Sequence, residues 1–415
     1  MRKGKDTSGR KQTASAGERK KESKYESSTH IELFEGKTAL RLVLFLVCLV
    51  VAIVAFGNGI NALLTTEAGW QTVTVNTTEL NCGDDFTFLY NVGAGETSAT
   101  KEMKAIRSLY TEACVDAYRL FDAGNAYEEY NNVWYLSEHV NEEVEVDPLL
   151  YQALETVEES GTRYLYLGPV SSMYTSLMYS KSDEEAKLYD PRYEEELQTF
   201  YLELSEYILD SEAIHVELLG ENRVMLAVSE EYLAYAEENG ITQFIDFSWM
   251  KNAFIVDYIA DLMTENGYTR GTIMSADGYV RSFDSSGDTE FAFSLYHRDG
   301  NVVSEESSCV YAGVTSIVYF HDYPIEGSDF VGYYTYEDGE IRSRYIDPED
   351  GLSKASIAEL IASSDTLSCG QLALLTAPLF IADAFEESGV IDLADEGISL
   401  KYFSDGELKE VGQDL

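Results

Sequence analysis

Asp246-Phe247-Ser248-Trp249-Met250-Lys251-Asn252-Ala253-Phe254-Ile255-Val256-Asp257 runs from a polar turn into an apolar stretch, and its continuation sets Val256, Ile259, Ala260 and Met263 at helical spacing. This predicts a helix from about Asn252 to Thr264 that stops at Asn266-Gly267. Short strands are expected after it, around Gly271 to Met274, Glu290 to Leu295, Val310 to Val314, Gly332 to Tyr336 and Ile341 to Ile346. A last long helix, about Ser368 to Glu386, turns Leu372, Leu375 and Leu379 inward. Upstream, Gln71 to Val75 and Phe86 to Tyr90 read as a strand pair, followed by a helix carrying Met103, Ile106, Tyr110, Ala113 and Ala117. Asp147-Pro148 starts a helix that Gly161 ends, Pro191 opens one with Tyr201, Leu204 and Ile208 inward, and Ser229 caps one that stops at Asn239-Gly240. Strands and helices alternate irregularly, which predicts an α+β fold rather than a doubly wound parallel sheet.

The charge is uneven. The chain of 415 residues holds 29 Lys+Arg against 74 Asp+Glu, a net of −45, which argues against a nucleic-acid partner. Residues 1–41 hold 11 basic and 6 acidic residues, so they carry +5 and the rest carries −50. Leu42 to Phe56 has no charge, and Leu40 to Leu64 is long enough to cross a bilayer core of about 30 Å. The expectation is a basic cytoplasmic tail (1–39), a transmembrane signal anchor (40–64) and an extracytoplasmic domain (65–415), oriented by the positive flank. A cleaved signal peptide with Ala55-Phe56-Gly57 as its site is the alternative. Cys82, Cys114, Cys309 and Cys369 fall in the exterior part, where disulfides are allowed; buried thiols are the favoured reading.

Familiar catalytic signatures are missing. The five histidines are dispersed, with no HExxH, no Cys-x-x-Cys, no G-x-S-x-G and no phosphate-binding glycine loop. His321-Asp322, a local His/carboxylate pair, reads as a solvated loop.

Three further segments follow the opening stretch in order: Ile273-Met274-Ser275-Ala276-Asp277-Gly278-Tyr279-Val280-Arg281, then Arg344-Tyr345-Ile346-Asp347-Pro348-Glu349-Asp350-Gly351, then Leu374-Leu375-Thr376-Ala377-Pro378-Leu379-Phe380. Together with Asn131-Asn132, Val144-Glu145-Val146-Asp147 and Leu167-Gly168-Pro169, they resemble, in order and spacing, the motif series of the ApbE family, the FAD:protein FMN transferases. The likeness runs from about Trp70 to the end.

That resemblance implies a two-lobed domain, FAD in a cleft, Mg²⁺ on the pyrophosphate, and transfer of FMN to a Thr or Ser hydroxyl of an envelope acceptor protein. It places Lys251 and Asp257 in catalytic positions, Ser248, Asn252, Ser275, Ala276, Gly278 and Asp347 at the cofactor, and Asp277 and Thr376 at the metal. Several positions depart from it. The family's lysine falls on Asn252, its His on Arg344, and its metal-binding aspartate on Leu372, while Trp249 would fill space a flavin needs. Asp347 to Gly351 also reads as a plain turn, Thr376 as a helix hydroxyl bonded to the preceding turn, and Asp257 as a residue favoured by the helix dipole. The leading expectation is a membrane-anchored, exterior ApbE-like domain with eroded FMN transfer that binds a flavin-like ligand or a partner protein. A working transferase using Lys251, Asp277 and Thr376, and an unrelated envelope binding module, stand beside it.

Overall fold

The computed structural model describes residues 66–77, 82–326, 331–404 and 406–412. Its organising element is an eight-stranded sheet built from β1 (Gly69–Val73), β2 (Phe86–Val92), β3 (Gly271–Ser275), β4 (Tyr279–Phe283), β5 (Val314–His321), β6 (Glu359–Ser364), β7 (Ser399–Ser404) and β8 (Glu407–Val411). The strands lie side by side in chain order, and every neighbouring pair is antiparallel. Long excursions therefore leave and rejoin the sheet at adjacent positions, which brings segments far apart in sequence to the same strand ends.

Alternation along the strands feeds two cores. Tyr279, Val318, Phe320, Leu360 and Ala362 face the main core, shared with helices α1 (Ala99–Leu120), α2 (Pro148–Ser160), α3 (Lys251–Glu265) and α4 (Cys369–Phe380). Val280, Ile317, Tyr319 and Ile361 point the other way, against Leu295, Cys309 and Tyr311 of a hairpin formed by Glu290–Asp299 and Val302–Ala312. With both faces covered, β6 is buried at all six positions. A smaller three-stranded sheet, Val144–Glu145, Ile214–Gly220 and Arg223–Val228, lies within the excursion between β2 and β3.

The helix signals hold where capping chemistry is explicit. Asp147 accepts from Leu149 N at 2.9 Å ahead of Pro148, and Gly161 ends α2 at φ +65°. Ser229 accepts from Tyr232 N at 3.1 Å, and Gly240 closes that helix. Pro191, by contrast, lies in a turn and its helix starts only at Glu195. The reason is Asp190, which is buried and holds Arg342 Nε at 2.7 Å and the Tyr336 hydroxyl at 2.9 Å, so the chain is pinned before the helix can begin.

The last helix is shorter than expected. It ends at Phe380, where Ser356 donates to Leu379 O (2.6 Å) and Phe380 O (2.8 Å) and takes the carbonyls that another turn would use; a separate helix covers Glu387–Asp395. The inward row is Leu372, Thr376 and Leu379, whereas Leu375 is 39% exposed. A single strand was expected across Val310 to Val314. Gly313, at φ +72°, instead separates the hairpin from β5. His321-Asp322 is not a solvated loop: His321 is buried at the end of β5, and Asp322 takes two bonds from Arg298, at 3.1 and 2.6 Å.

Cys82, Cys114, Cys309 and Cys369 are all buried thiols, and no disulfide joins cysteines among the described residues. The expected membrane segment 40–64 lies outside the described residues. Among those described, no helix is long and apolar enough to cross a membrane.

Candidate functional site

Two local structures define the site. The first is the β3–β4 turn. Ser275 Oγ accepts from Tyr279 N (3.0 Å), Gly278 N donates to Ser275 O (3.2 Å), and Ala276 N donates to Asp85 O (2.7 Å). Gly278 has φ +98°, and a Cβ there would sit 2.3 Å from Tyr319 O, so only glycine closes this turn. The closure drives Asp277 inward to 2% exposure.

The second is the entry to α3. Asp246 accepts from Ser248 N (2.9 Å) and from Gln243 Nε2 (3.2 Å), and Ser248 adopts φ +45°, a strained conformation for a residue with a side chain. The bend sends Trp249 into the core, with ring centroids 5.3 Å from Tyr164 and 5.6 Å from Phe320. It does not block the cleft, contrary to the expectation from its bulk.

Lys251 and Asn252, one helical step apart, then diverge. Lys251 faces an open cleft, while Asn252 is buried and donates through Nδ2 to Asp277 Oδ2 at 3.0 Å. Arg344, from the segment after the Ile341–Ser343 strand, donates to the same Asp277 oxygen. Burial opposes the charge of Arg344, but the Asp277 carboxylate together with Tyr345 and Tyr279 outweighs it and raises the guanidinium pKa. Asp277 Oδ1 and Asn252 Oδ1 are buried without a hydrogen-bond donor.

The cleft encloses about 510 Å³. Its floor and walls include Ser248, Lys251, Asp246, Arg344 and Ile346, the hydroxyl row Ser171, Ser172 and Thr175, the rings of Tyr118, Phe121, Tyr174 and Tyr179, and the 122–125 loop. That loop is tied down by its own carboxylate, since Asp122 accepts from Gly124 N, Asn125 N, Asn125 Nδ2 and Tyr127 OH at 2.8 to 3.1 Å. Asn132 Nδ2 approaches the carbonyls of Arg119, Asp122 and Asn125 within 3.1 Å, so this fully buried amide is what holds the loop at the cleft edge.

The remaining expected site residues lie elsewhere. Asp257 is buried and accepts from Cys369 N (2.9 Å) and Gly370 N (2.8 Å), the first amides of α4, with Arg281 Nε at 3.7 Å. Burial pushes its carboxyl up to about 6. It caps a helix and borders a separate acidic groove, not the cleft with Lys251. Asp347 accepts from Glu349 N at 2.9 Å and pairs with Lys354 at 2.9 Å, the turn reading of that segment. Thr376 is fully buried and its hydroxyl donates to Leu372 O at 2.7 Å, in its own helix.

The expected metal site therefore lacks its donors. Leu372 has no ligating atom, Thr376 is bonded within its helix, and Asp277 is matched by a guanidinium. Among the described residues no group of three or more His, Cys, Asp or Glu is arranged to hold a metal ion. Mg²⁺, which wants several oxygen ligands in near-octahedral array, does not fit. An aromatic ligand does fit by size, because small-molecule clefts run from about 300 to 1,000 Å³. The titratable side chains at the cleft are Asp122, Asp246, Lys251, Arg344 and the tyrosines Tyr118, Tyr174 and Tyr179.

Sequence reasoning placed Ser248, Lys251, Asn252 and Asp277 in this region, but it read Arg344 only as a departure and assigned nothing to Asp122 or Asp246. The Asp-Ala-Gly-Asn run at 122–125 is a turn signal; nothing in sequence pairs Arg344 with a residue 67 positions away.

No protein-family model matches the sequence, and no curated protein does. Solved structures do. The ApbE protein of Thermotoga maritima superposes with a TM-score of 0.57 at 13% identity, covering 83% of this chain and 97% of that one. The flavin transferase ApbE of Vibrio cholerae gives 0.53 at 13%, covering 84% and 98%. The flavinyl transferase ApbE of Pseudomonas stutzeri, in its apo form, gives 0.52 at 12%, covering 84% and 95%. The eight-stranded meander with its helical layer thus carries the fold of the ApbE flavin transferases.

Proposed function

We propose that this chain is a membrane-anchored, extracytoplasmic ApbE-fold domain that binds a flavin-type ligand or an envelope partner and has lost Mg²⁺-dependent FMN transfer. The observation that carries the reading is the donor set: Leu372 beside a back-bonded Thr376, and Asp277 already paired with Arg344. A working transferase would need Asp277 and Thr376 free to share an ion, and the bonds they make count against it. The basic tail and the uncharged run Leu42 to Phe56 support the anchor and its orientation.

The test is incubation of the purified chain with FAD, Mg²⁺ and a Thr-containing acceptor, followed by in-gel flavin fluorescence of the acceptor. No flavinylation is expected. Transfer that EDTA abolishes overturns the loss of activity. Proteolysis of intact cells tests the topology: the part after Thr65 should be digested and the N-terminal tail spared.

A further inference from the structure

The cleft is lined by two carboxylates and two cations. Asp122 is filled by the four bonds of its own loop, whereas Asp246 accepts only from Ser248 N and Gln243 Nε2 and keeps lone pairs for a ligand; the hydroxyls of Ser171 and Thr175 already donate to carbonyls of Leu167 and Ser171. Behind the wall, Asp277 Oδ1 and Asn252 Oδ1 have no donor at all. Of the two cations at the cleft, Arg344 is matched by Asp277, which leaves Lys251 against two carboxylates in a region of net −50. Asp85 adds to this, for Lys251 and Arg344 both lie within electrostatic reach of its carboxyl. A phosphate group, carrying about −1.5 to −2, meets repulsion from these carboxylates unless a cation accompanies it. The donor set for such a cation is missing. A polyhydroxylated chain carries no charge to be repelled and can donate to Asp246, and an aromatic ring system suits the walls of Tyr118, Phe121 and Tyr179.

We propose that the cleft takes an uncharged flavin of the riboflavin kind, an aromatic ring bearing a hydroxyl-rich chain, in preference to flavins that carry phosphate. This rests on the reading that the site works without a divalent cation.

The test is fluorescence titration of the full chain in detergent with riboflavin, FMN and FAD, each in EDTA and in Mg²⁺. Riboflavin is expected to bind at least about tenfold more tightly than FAD, with FMN between them and with no effect of Mg²⁺. Asp246→Asn should narrow the ratio by weakening riboflavin and strengthening FAD. Lys251→Met keeps the preference falsifiable if that variant does not fold, since it should weaken FAD more than riboflavin. FAD binding as tight as riboflavin in EDTA, without flavinylation, overturns this preference and leaves the preceding section standing. Tight FAD binding only with Mg²⁺, accompanied by transfer, overturns both. Absence of binding by all three flavins overturns the preference too.

Discussion

Asp257 and Asp277 are both buried aspartates from the motif series, 20 residues apart, yet they are neutralised in opposite ways. Asp257 is hydrogen-bonded by the first two amides of α4, with Arg281 Nε no closer than 3.7 Å, so its bonds are a backbone solution that any sequence with a helix start at that place could supply. Asp277 depends on one side chain, Arg344, and on the amide of Asn252, with its second oxygen left bare. Backbone capping is a property of the fold. A dedicated arginine is a property of this chain, and it occupies the place where the resemblance called for chemistry with a metal.

The largest effect should follow from breaking the second arrangement. Arg344→Ala leaves a buried carboxylate without its cation, which costs on the order of 3–5 kcal/mol. Urea unfolding measures it, and Arg344→Ala with Asp277→Asn together should cost much less than the sum. Additivity of the two changes would show that the pair is not the unit described here.

Asp257 responds to pH instead. Its folded pKa, about 6, lies above the ordinary 3.8 because burial penalises the charge. The stability it contributes is therefore fully present below about pH 3.8 and is lost as the pH rises through about 6, by roughly 3 kcal/mol at most for a two-unit shift. Unfolding free energies at pH 4 and pH 7, compared with those of Asp257→Asn, isolate this contribution, and equal slopes for the two proteins would refute it. At pH 7 the same variant keeps one acceptor for the Cys369 and Gly370 amides and should cost only about 1–2 kcal/mol. A loss as large as that of Arg344→Ala would erase the distinction between the two carboxylates.

How far the sequence carried the fold depended on the kind of signal. Pro148–Ser160 was legible from its Asp147 cap and its apolar row, and Lys251–Glu265 from its apolar row alone, because these determinants are local. Strand β6, Glu-Leu-Ile-Ala-Ser-Ser, was missed, since a strand covered on both faces loses the alternation that marks a half-buried one. At the site, the order of motifs was enough to gather Ser248, Lys251, Asn252 and Asp277. The one-residue offset of Lys251 proved compatible with a cleft position, while Asn252 took the buried one. Thr376 and Asp257 answered to local backbone needs, which sequence offered only as their plainer readings.

The smallest expected effect concerns the metal, and it is the sharpest on function. A ligand that binds only the folded state stabilises it by RT ln(1 + [L]/Kd), which is about 0.4 kcal/mol when Mg²⁺ equals its dissociation constant and about 2.7 kcal/mol at a hundredfold excess. With Leu372 supplying no oxygen and Asp277 bound to Arg344, millimolar Mg²⁺ should stay below the first of these limits, a melting shift of about 1 °C or less. EDTA should leave the melting curve unchanged as well. Rebuilding the site has a narrow route: Trp249→Gly, which would make room in a cleft that Trp249 obstructed, would here remove a core ring packed on Tyr164 and Phe320, at a cost of about 3–5 kcal/mol. Leu372→Asp paired with Arg344→His leaves Trp249 in place, gives Thr376 a carboxylate four residues away on the same helix face, and releases Asp277 from the guanidinium. An Mg²⁺-dependent rise in melting temperature in that variant, absent from the parent chain, would show that these positions can be made to hold Mg²⁺; an equal rise in both would mean that the parent binds Mg²⁺ through other donors.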